Sequence, residues 1–202
     1  MTHPTDPDGG ADVLAELLVH VGRSARGEDA DGSPLTAAQW TALRFFARAN
    51  RRSRTPSAFA SFQATTRGTA SQTLKTLEAR GLLERRKSDT DRRSVLFEPT
   101  EEGRALLRRD PLRHLMAAID KLPPSDRAAL ARVMPDLASH LACARGSPAI
   151  GTCANCNHYE DQGEQAYCAC VGASLAPFEI GQLCASFAPQ EGETRPAKDG
   201  SG

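Results

Sequence analysis

The sequence predicts a mainly α-helical fold with a small β-wing and a short cysteine-rich C-terminal appendage, and three observations carry that prediction. Apolar residues recur at helical spacing through much of residues 12–142. Two short strand-like runs flank one arginine-rich turn within residues 82–97. Five of the six cysteines fall within residues 153–184, a segment with little else from which to build a core.

The elements follow in order. Residues 1–10 and 190–202 are rich in Gly, Pro, Asp and Ser and read as disordered ends. From Asp12, Val13, Leu14, Leu17, Leu18 and Val21 form one face of an amphipathic helix, which residues 27–34 bring to an end. Thr36 is a good N-cap for the next helix, with Trp40, Leu43, Phe45, Phe46 and Ala47 as its buried face. Pro56 suits the first position of a short helix behind Thr55, and Phe59 and Phe62 are expected to point inward. Residues 64–67 make a turn. Ala70, Leu74 and Leu77 then mark the inner face of a longer helix whose outer face shows Thr69, Ser71, Gln72, Thr73 and Lys75.

Gly81 stands where a C-terminal cap is expected. Residues 82–86 and 94–97 read as strands joined by the polar run KSDTDRR, a hairpin. Thr100, followed by Glu101, Glu102 and Gly103, opens another helix that Pro111 bends or interrupts. Ser125, after Pro123 and Pro124, is expected to cap a last long helix, in which Leu130, Val133, Met134, Leu137 and Leu141 form one apolar stripe serving as core or as a seam between two copies.

Short helix, tight turn, polar-faced helix and basic hairpin together make a winged helix-turn-helix, whose second helix enters the DNA major groove. Thr66, Arg67, Thr69, Ser71, Gln72 and Lys75 are the candidates for base edges or nearby phosphates, because short polar side chains, Gln and Arg match the donors and acceptors displayed there. Arg92 and Arg93 at the hairpin are the candidates for a minor groove. Charge agrees with this placement. The chain is neutral overall, yet residues 51–95 hold eleven Lys and Arg against four Asp and Glu, a net +7, while residues 1–35 and 146–202 each carry −5. A basic centre attracts a polyanion through release of its counterions.

The run DRRSVLFEPTEEG resembles the wing signature of the MarR family, Asp-x-Arg followed after a strand by Leu-Thr-x-x-Gly, matched here by Asp91, Arg93, Thr100 and Gly103. Pro99 stands where that family has leucine. LTAAQWTALRFFA and SQTLKTLEARGLLERR are similar to its second helix and recognition helix, and the resemblance spans about residues 12–142. It implies a homodimer held by the first and last helices, a pseudo-palindromic double-stranded operator near a promoter, repression as the usual outcome, and Asp91 orienting Arg93. The domain so defined covers residues 11–145, and residues 146–189 form the appendage.

In that appendage Cys153 and Cys156 make a C-x2-C hook, with Cys168 after eleven intervening residues and Cys184 after fifteen more, while Cys170 is an alternative ligand. Four thiolates this close in sequence can hold an iron-sulfur cluster, of the 4Fe-4S kind, or tetrahedral zinc, and metal-free redox thiols remain a third reading. Zinc ribbons usually present two matched hooks. One hook followed by widely spaced single cysteines, with the aromatic Phe187 just beyond, is similar to the spacing of high-potential iron-sulfur proteins. His158 can replace a thiolate, Cys143 reads as a small buried residue, and His20 and His140 lack ligand-spaced partners.

The sequence contains no run of about 18 apolar residues and no secretory leader, so a cytoplasmic, membrane-independent protein is expected. Nor does it contain a glycine-rich phosphate loop, a His-Glu-x-x-His motif or a Gly-x-Ser-x-Gly elbow, which argues against an enzyme. The reading is a dimeric transcriptional regulator whose cysteine-bound cluster reports redox state, oxygen or iron, with the signal passed to the dimer helices that directly precede it. Two alternatives stay open: a structural zinc with a small-molecule effector in the dimer cleft, and a redox enzyme or electron carrier.

Overall fold

The computed structural model describes residues 10–25, 33–87, 95–163 and 165–190. The wing-tip candidates Asp91, Arg92 and Arg93 lie outside the described residues, as do residues 1–9 and 191–202 of the ends read as disordered. The chain runs α1 (Ala11–Ser24), α2 (Ala37–Arg48), α3 (Pro56–Phe62), α4 (Arg67–Ala79), β1 (Leu83–Lys87), β2 (Val95–Pro99), α5 (Glu101–Leu107), α6 (Arg113–Asp120) and α7 (Pro124–Ala144). The appendage follows with β3 (Tyr159–Asp161), β4 (Ala166–Cys168) and β5 (Ala173–Leu175). The fold is thus mostly helical, with an antiparallel β1–β2 hairpin as the wing and a separate β3–β4–β5 meander.

The helix ends are set by local chemistry. Thr36 and Gln39 form a reciprocal capping box at α2, Thr55 caps α3 with Pro56 in its first turn, and Thr66 caps α4 by accepting from the Thr69 amide. At the other end of α4, Gly81 has φ +68°. Its N–H donates to the Glu78 carbonyl, and the Leu82 N–H donates to the Leu77 carbonyl. This paired closure needs a left-handed residue, which glycine supplies without strain.

The core is built on α2. Trp40, Leu43, Phe45 and Phe46 are buried together with Phe59 of α3, Leu74 and Leu77 of α4, Leu83 of β1 and Phe97 of β2. Phe45 and Phe46 meet edge to face at 5.2 Å, and Phe46 lies 5.7 Å from both Phe59 and Phe97. The Trp40 indole N–H donates to the Ser33 hydroxyl at 2.9 Å, so the ring is buried without an orphaned donor. Against expectation, Phe62 is 36% exposed, because it sits on the last turn of α3 and covers only the outer edge of Phe45, at 4.9 Å. Ala47 is half-buried, while Ala42 and Ala49 are fully enclosed.

Two further contacts were silent in the sequence. Asp110, in the break between α5 and α6 that Pro111 imposes, is buried and pairs with Arg44 of α2 at 2.9 Å. The same Asp110 oxygen accepts from the Leu112 amide at 2.8 Å, which supports the start of α6. Gly103, in the first turn of α5, lies so close to the Leu82 carbonyl oxygen that any Cβ would overlap it. Thr100 completes this junction: its hydroxyl donates to the Gly81 carbonyl at 2.6 Å and accepts from the Gly103 amide at 3.1 Å.

α1, α6 and α7 contain no buried residue. Val13, Leu14, Leu17 and Leu18 of α1, Met116 and Ile119 of α6, and Leu130, Val133, Met134, Leu137 and Leu141 of α7 are exposed. Cys143 is exposed as well, which corrects the expectation that it is buried: nothing among the described residues covers that face of α7. The start of α7 also differs from expectation. Pro124 takes the first helical position after Pro123, and the Ser125 hydroxyl turns to Asp126 at 3.2 Å instead of capping the helix.

Replacing Asp110 by Ala strands the Arg44 charge in a low-dielectric site and is expected to lower unfolding stability by about 3–5 kcal/mol, measured by urea denaturation. Gly103→Ala is expected to cost about 1–3 kcal/mol in the same assay, since the Leu82 carbonyl is backbone and must move.

Candidate functional site

Two sites emerge from the candidate residues. The first is the outer face of α4 together with the root of the wing. Arg67, Ser71 and Lys75 project from α4 towards the concave surface that β1 and β2 complete with Arg85 and Val95, and Thr55 and Ser57 at the start of α3 close its other side. Gln72 and Lys75 are exposed and Ser71 is half-buried in that surface. The six candidates on this helix therefore divide by role. Thr66 and Thr69 share a hydroxyl–hydroxyl bond of 2.9 Å at the N-cap, so they hold the helix start in addition to facing solvent. Arg67, Gln72 and Lys75 make no ion pair among the described residues and present their polar ends outward.

The basic stretch is less free than its charge count implies. Arg54 pairs with Glu98 at 2.8 Å, Arg85 with Glu78 at 2.8 Å while lying over the Phe97 ring, and Arg86 with Glu84 at 2.7 Å and Glu98 at 3.2 Å. The Arg86 guanidinium is held further towards its charged form by the Glu84 hydrogen bond and charge, then by Glu98. These acids lie on α4 and on the wing strands themselves, so part of the positive patch is neutralised where it arises.

The second site is in the appendage. Cys153, Cys156, Cys168, Cys170 and Cys184 line one cavity, together with Arg52 and Glu179. A single turn of 3-10 helix, Cys153–Asn155, carries the hook, and β4 delivers Cys168. Cys184 comes from a segment bridged antiparallel to Gly151. Phe187 packs against Gly151 so closely that a Cβ there would lie 2.7 Å from the ring, and this contact closes the loop between the hook and Cys184. Burial pushes the Cys153 thiol up to about 11, helped by the charges of Cys184, Cys156, Cys168 and Glu179. Cys170 is raised by burial and then by Cys168, Cys184 and Cys156, with Arg52 opposing. Cys156, Cys168 and Cys184 thus act on both Cys153 and Cys170, as groups around one small space do.

Among the described residues no group of three or more His, Cys, Asp or Glu side chains is arranged to hold a metal ion. His158 does not line the cavity; its carbonyl accepts from the Ala169 amide at 2.8 Å at the open end of the β3–β4 pair, opposite the turn. The appendage also lies elsewhere than its position after α7 implied. It docks on residues 48–53: the Leu183 N–H donates to the Arg48 carbonyl, the Asn50 N–H donates to the Leu183 carbonyl, and Arg51 pairs with Glu179 at 3.0 Å.

Residues 33–94 match the model of the MarR family. The winged segment of this chain is thus similar to that of MarR-family proteins. Among solved structures, the chain is similar to the transcriptional regulator SlyA at 16% identity, covering 64% of this chain and 94% of that one with a TM-score of 0.50. It is also similar to FabT of Streptococcus pneumoniae in complex with DNA, at 24% identity, 64% and 90% coverage and a TM-score of 0.43. A structure of MarR aligns at 23% identity, 72% and 99% coverage and a TM-score of 0.48. No curated protein matches the chain. No helix among the described residues is long and apolar enough to cross a membrane.

The hydroxyl of Thr66 holds the end of α4 that faces the groove. Thr66→Ala is expected to cost about 1 kcal/mol of stability, read as a lower midpoint in urea with an unchanged slope.

Proposed function

We propose that the chain is a MarR-type regulator that binds an operator in double-stranded DNA as a homodimer and that its thiol-lined cavity holds a redox-responsive iron-sulfur cluster. The observation that carries the DNA reading is the joining of α4 and the wing into one concave surface bearing Arg67, Ser71 and Lys75, beside the exposed Gln72. A protruding polar helix enters a major groove while its flanks meet the backbone. The exposed apolar faces of α1, α6 and α7 support a second copy as the partner: about a dozen large apolar side chains on three helices are otherwise left in water. Gln72 then reads an adenine edge, Lys75 and Arg67 meet phosphate or guanine, and Asp91 orients Arg93 at the wing tip.

The cluster reading is supported by five cysteines set around one cavity, with one C-x2-C hook followed by widely spaced single cysteines. A zinc ion draws four thiolates to within about 2.3 Å of one point. A cluster binds each cysteine to a different iron, so its ligands stand apart around a space. Cys153, Cys156, Cys168 and Cys184 are the proposed ligands, with Cys170 the alternative, and either metal must displace protons that burial now favours.

Two experiments test these readings. A duplex selected from a randomised pool by the wild-type chain is expected to bind with steep salt dependence; Lys75→Ala is expected to reduce the slope of log affinity against log salt by about one, and Gln72→Ala to cost about 1–3 kcal/mol on the selected sequence only. If no duplex is enriched, the DNA reading fails. Anaerobically purified protein is expected to be brown and to contain iron and acid-labile sulfide, both lost in a Cys153→Ser, Cys156→Ser double variant. Zinc without sulfide would replace the cluster by a structural metal.

A further inference from the structure

The loop that joins α2 to α3 is bonded to the thiol site on one side and to the wing on the other. Leu183 and Ala185 flank Cys184, and both are tied to this loop. Leu183 forms a parallel bridge to Ala49 through its N–H to the Arg48 carbonyl and its carbonyl from the Asn50 N–H, each 2.9 Å. The Ala185 N–H donates to the hydroxyl of Ser53, itself only 4% exposed, at 2.9 Å. The Cys184 N–H donates to the Gly151 carbonyl at 2.9 Å, two residues before Cys153. Glu179, buried at the cavity wall, accepts the Ala176 amide at 2.9 Å and the Arg51 guanidinium at 3.0 Å.

One residue beyond Ser53 the loop meets the wing. The Arg54 carbonyl accepts the Phe97 N–H at 2.9 Å, its Nη1 pairs with Glu98 at 2.8 Å, and its Nε donates back to the Ala49 carbonyl at 3.0 Å. Thr55 then caps α3. Residues 49–54 therefore have little freedom to move without moving β2 or the start of α3.

We infer that the thiol site regulates DNA binding through residues 49–54, by setting how firmly this loop holds the wing and α3, and not through the dimer helices. The inference rests on the reading of the chain as a DNA-binding regulator with a thiolate-bound metal centre. A centre that ties Cys184 to Cys153 and Cys156 orders the 183–185 segment, and the ordered segment completes the bonds to Asn50 and Ser53. Without it the segment and loop open together, and the wing loses its anchor at Arg54. Such coupling works by a change in local opening equilibria and needs no large displacement. Arg51, Ser53 and Arg54 are positioning residues in this scheme.

Hydrogen exchange tests the route directly, on full-length Cys143→Ser protein in two states: as purified anaerobically, and after alkylation of the other five thiols with iodoacetamide. Alkylation is expected to speed exchange about fivefold or more in peptides covering residues 49–54 and at the Phe97 amide, with α1 and α7 unchanged. Unchanged exchange at 49–54 and Phe97, or a change confined to α7, overturns the inference. In a Ser53→Ala, Arg51→Gln variant the metal content is expected to stay while the affinity difference between the two states for the selected duplex falls from about tenfold to under twofold; a full tenfold difference also overturns it. Iron, sulfide and zinc content of the same samples reports separately on the cluster, and enrichment of a duplex reports separately on DNA binding, so failure of either reading is distinguishable from failure of this route.

Discussion

The winged module hangs from the burial of one face of α2. Phe45 and Phe46, 1% and 0% exposed, are the rings against which α3 and the wing are fitted, through Phe59 and Phe97, while Leu74 and Leu77 seat α4 in the same core. Each buried ring contributes about 1.5–3 kcal/mol, and a phenylalanine has only two side-chain torsions to absorb a change. The angle between the polar face of α4 and the hairpin is consequently a packing quantity. The Gly81 closure and the Gly103 contact with Leu82 constrain the same junction through backbone geometry, the first by a left-handed φ and the second by an approach closer than a side chain permits.

Charge forms a second layer on this frame. The basic centre is real in sequence, but Glu78, Glu84 and Glu98 return much of it to neutrality around the wing strands. Ion pairs this exposed are exchangeable, so a phosphate can replace a carboxylate at little net cost. Arg67 and Lys75, without such partners among the described residues, give the helix face its standing charge. The structure thus divides the cations into a set that shapes the hairpin and a set left open on the face of α4.

The appendage obeys a different economy. Beyond Cys153, Cys156, Phe187 and Glu179 it buries almost nothing of its own, so its order depends on docking to residues 48–53 and on whatever joins its thiols. Burial favours the protonated thiols of Cys153 and Cys170, a preference that a bound cation reverses. The appendage's hydrogen-bonded neighbours Arg48, Asn50 and Ser53 adjoin Arg54, which holds the wing through Phe97 and Glu98.

The helices, their caps and the hairpin were legible from residues 36–103 because periodicity and end chemistry are local: Thr36, Thr55, Gly81 and Thr100 act on residues a few positions away. The cysteine spacing was equally legible as a shared site. The partial exposure of Phe62, the open position of Cys143 and the two-proline start of α7 were not, since each depends on which surface another element covers. The Arg44–Asp110 pair joins positions 66 residues apart and leaves no periodic trace. By itself the sequence determined the elements, the polar outer face of α4 and the convergence of the thiols, because these follow from neighbours along the chain. Only the tertiary structure decided which arginines stay unpaired among the described residues and that the thiol site rests on the α2–α3 loop instead of α7, which precedes it, because both depend on contacts between segments that sequence order does not bring together.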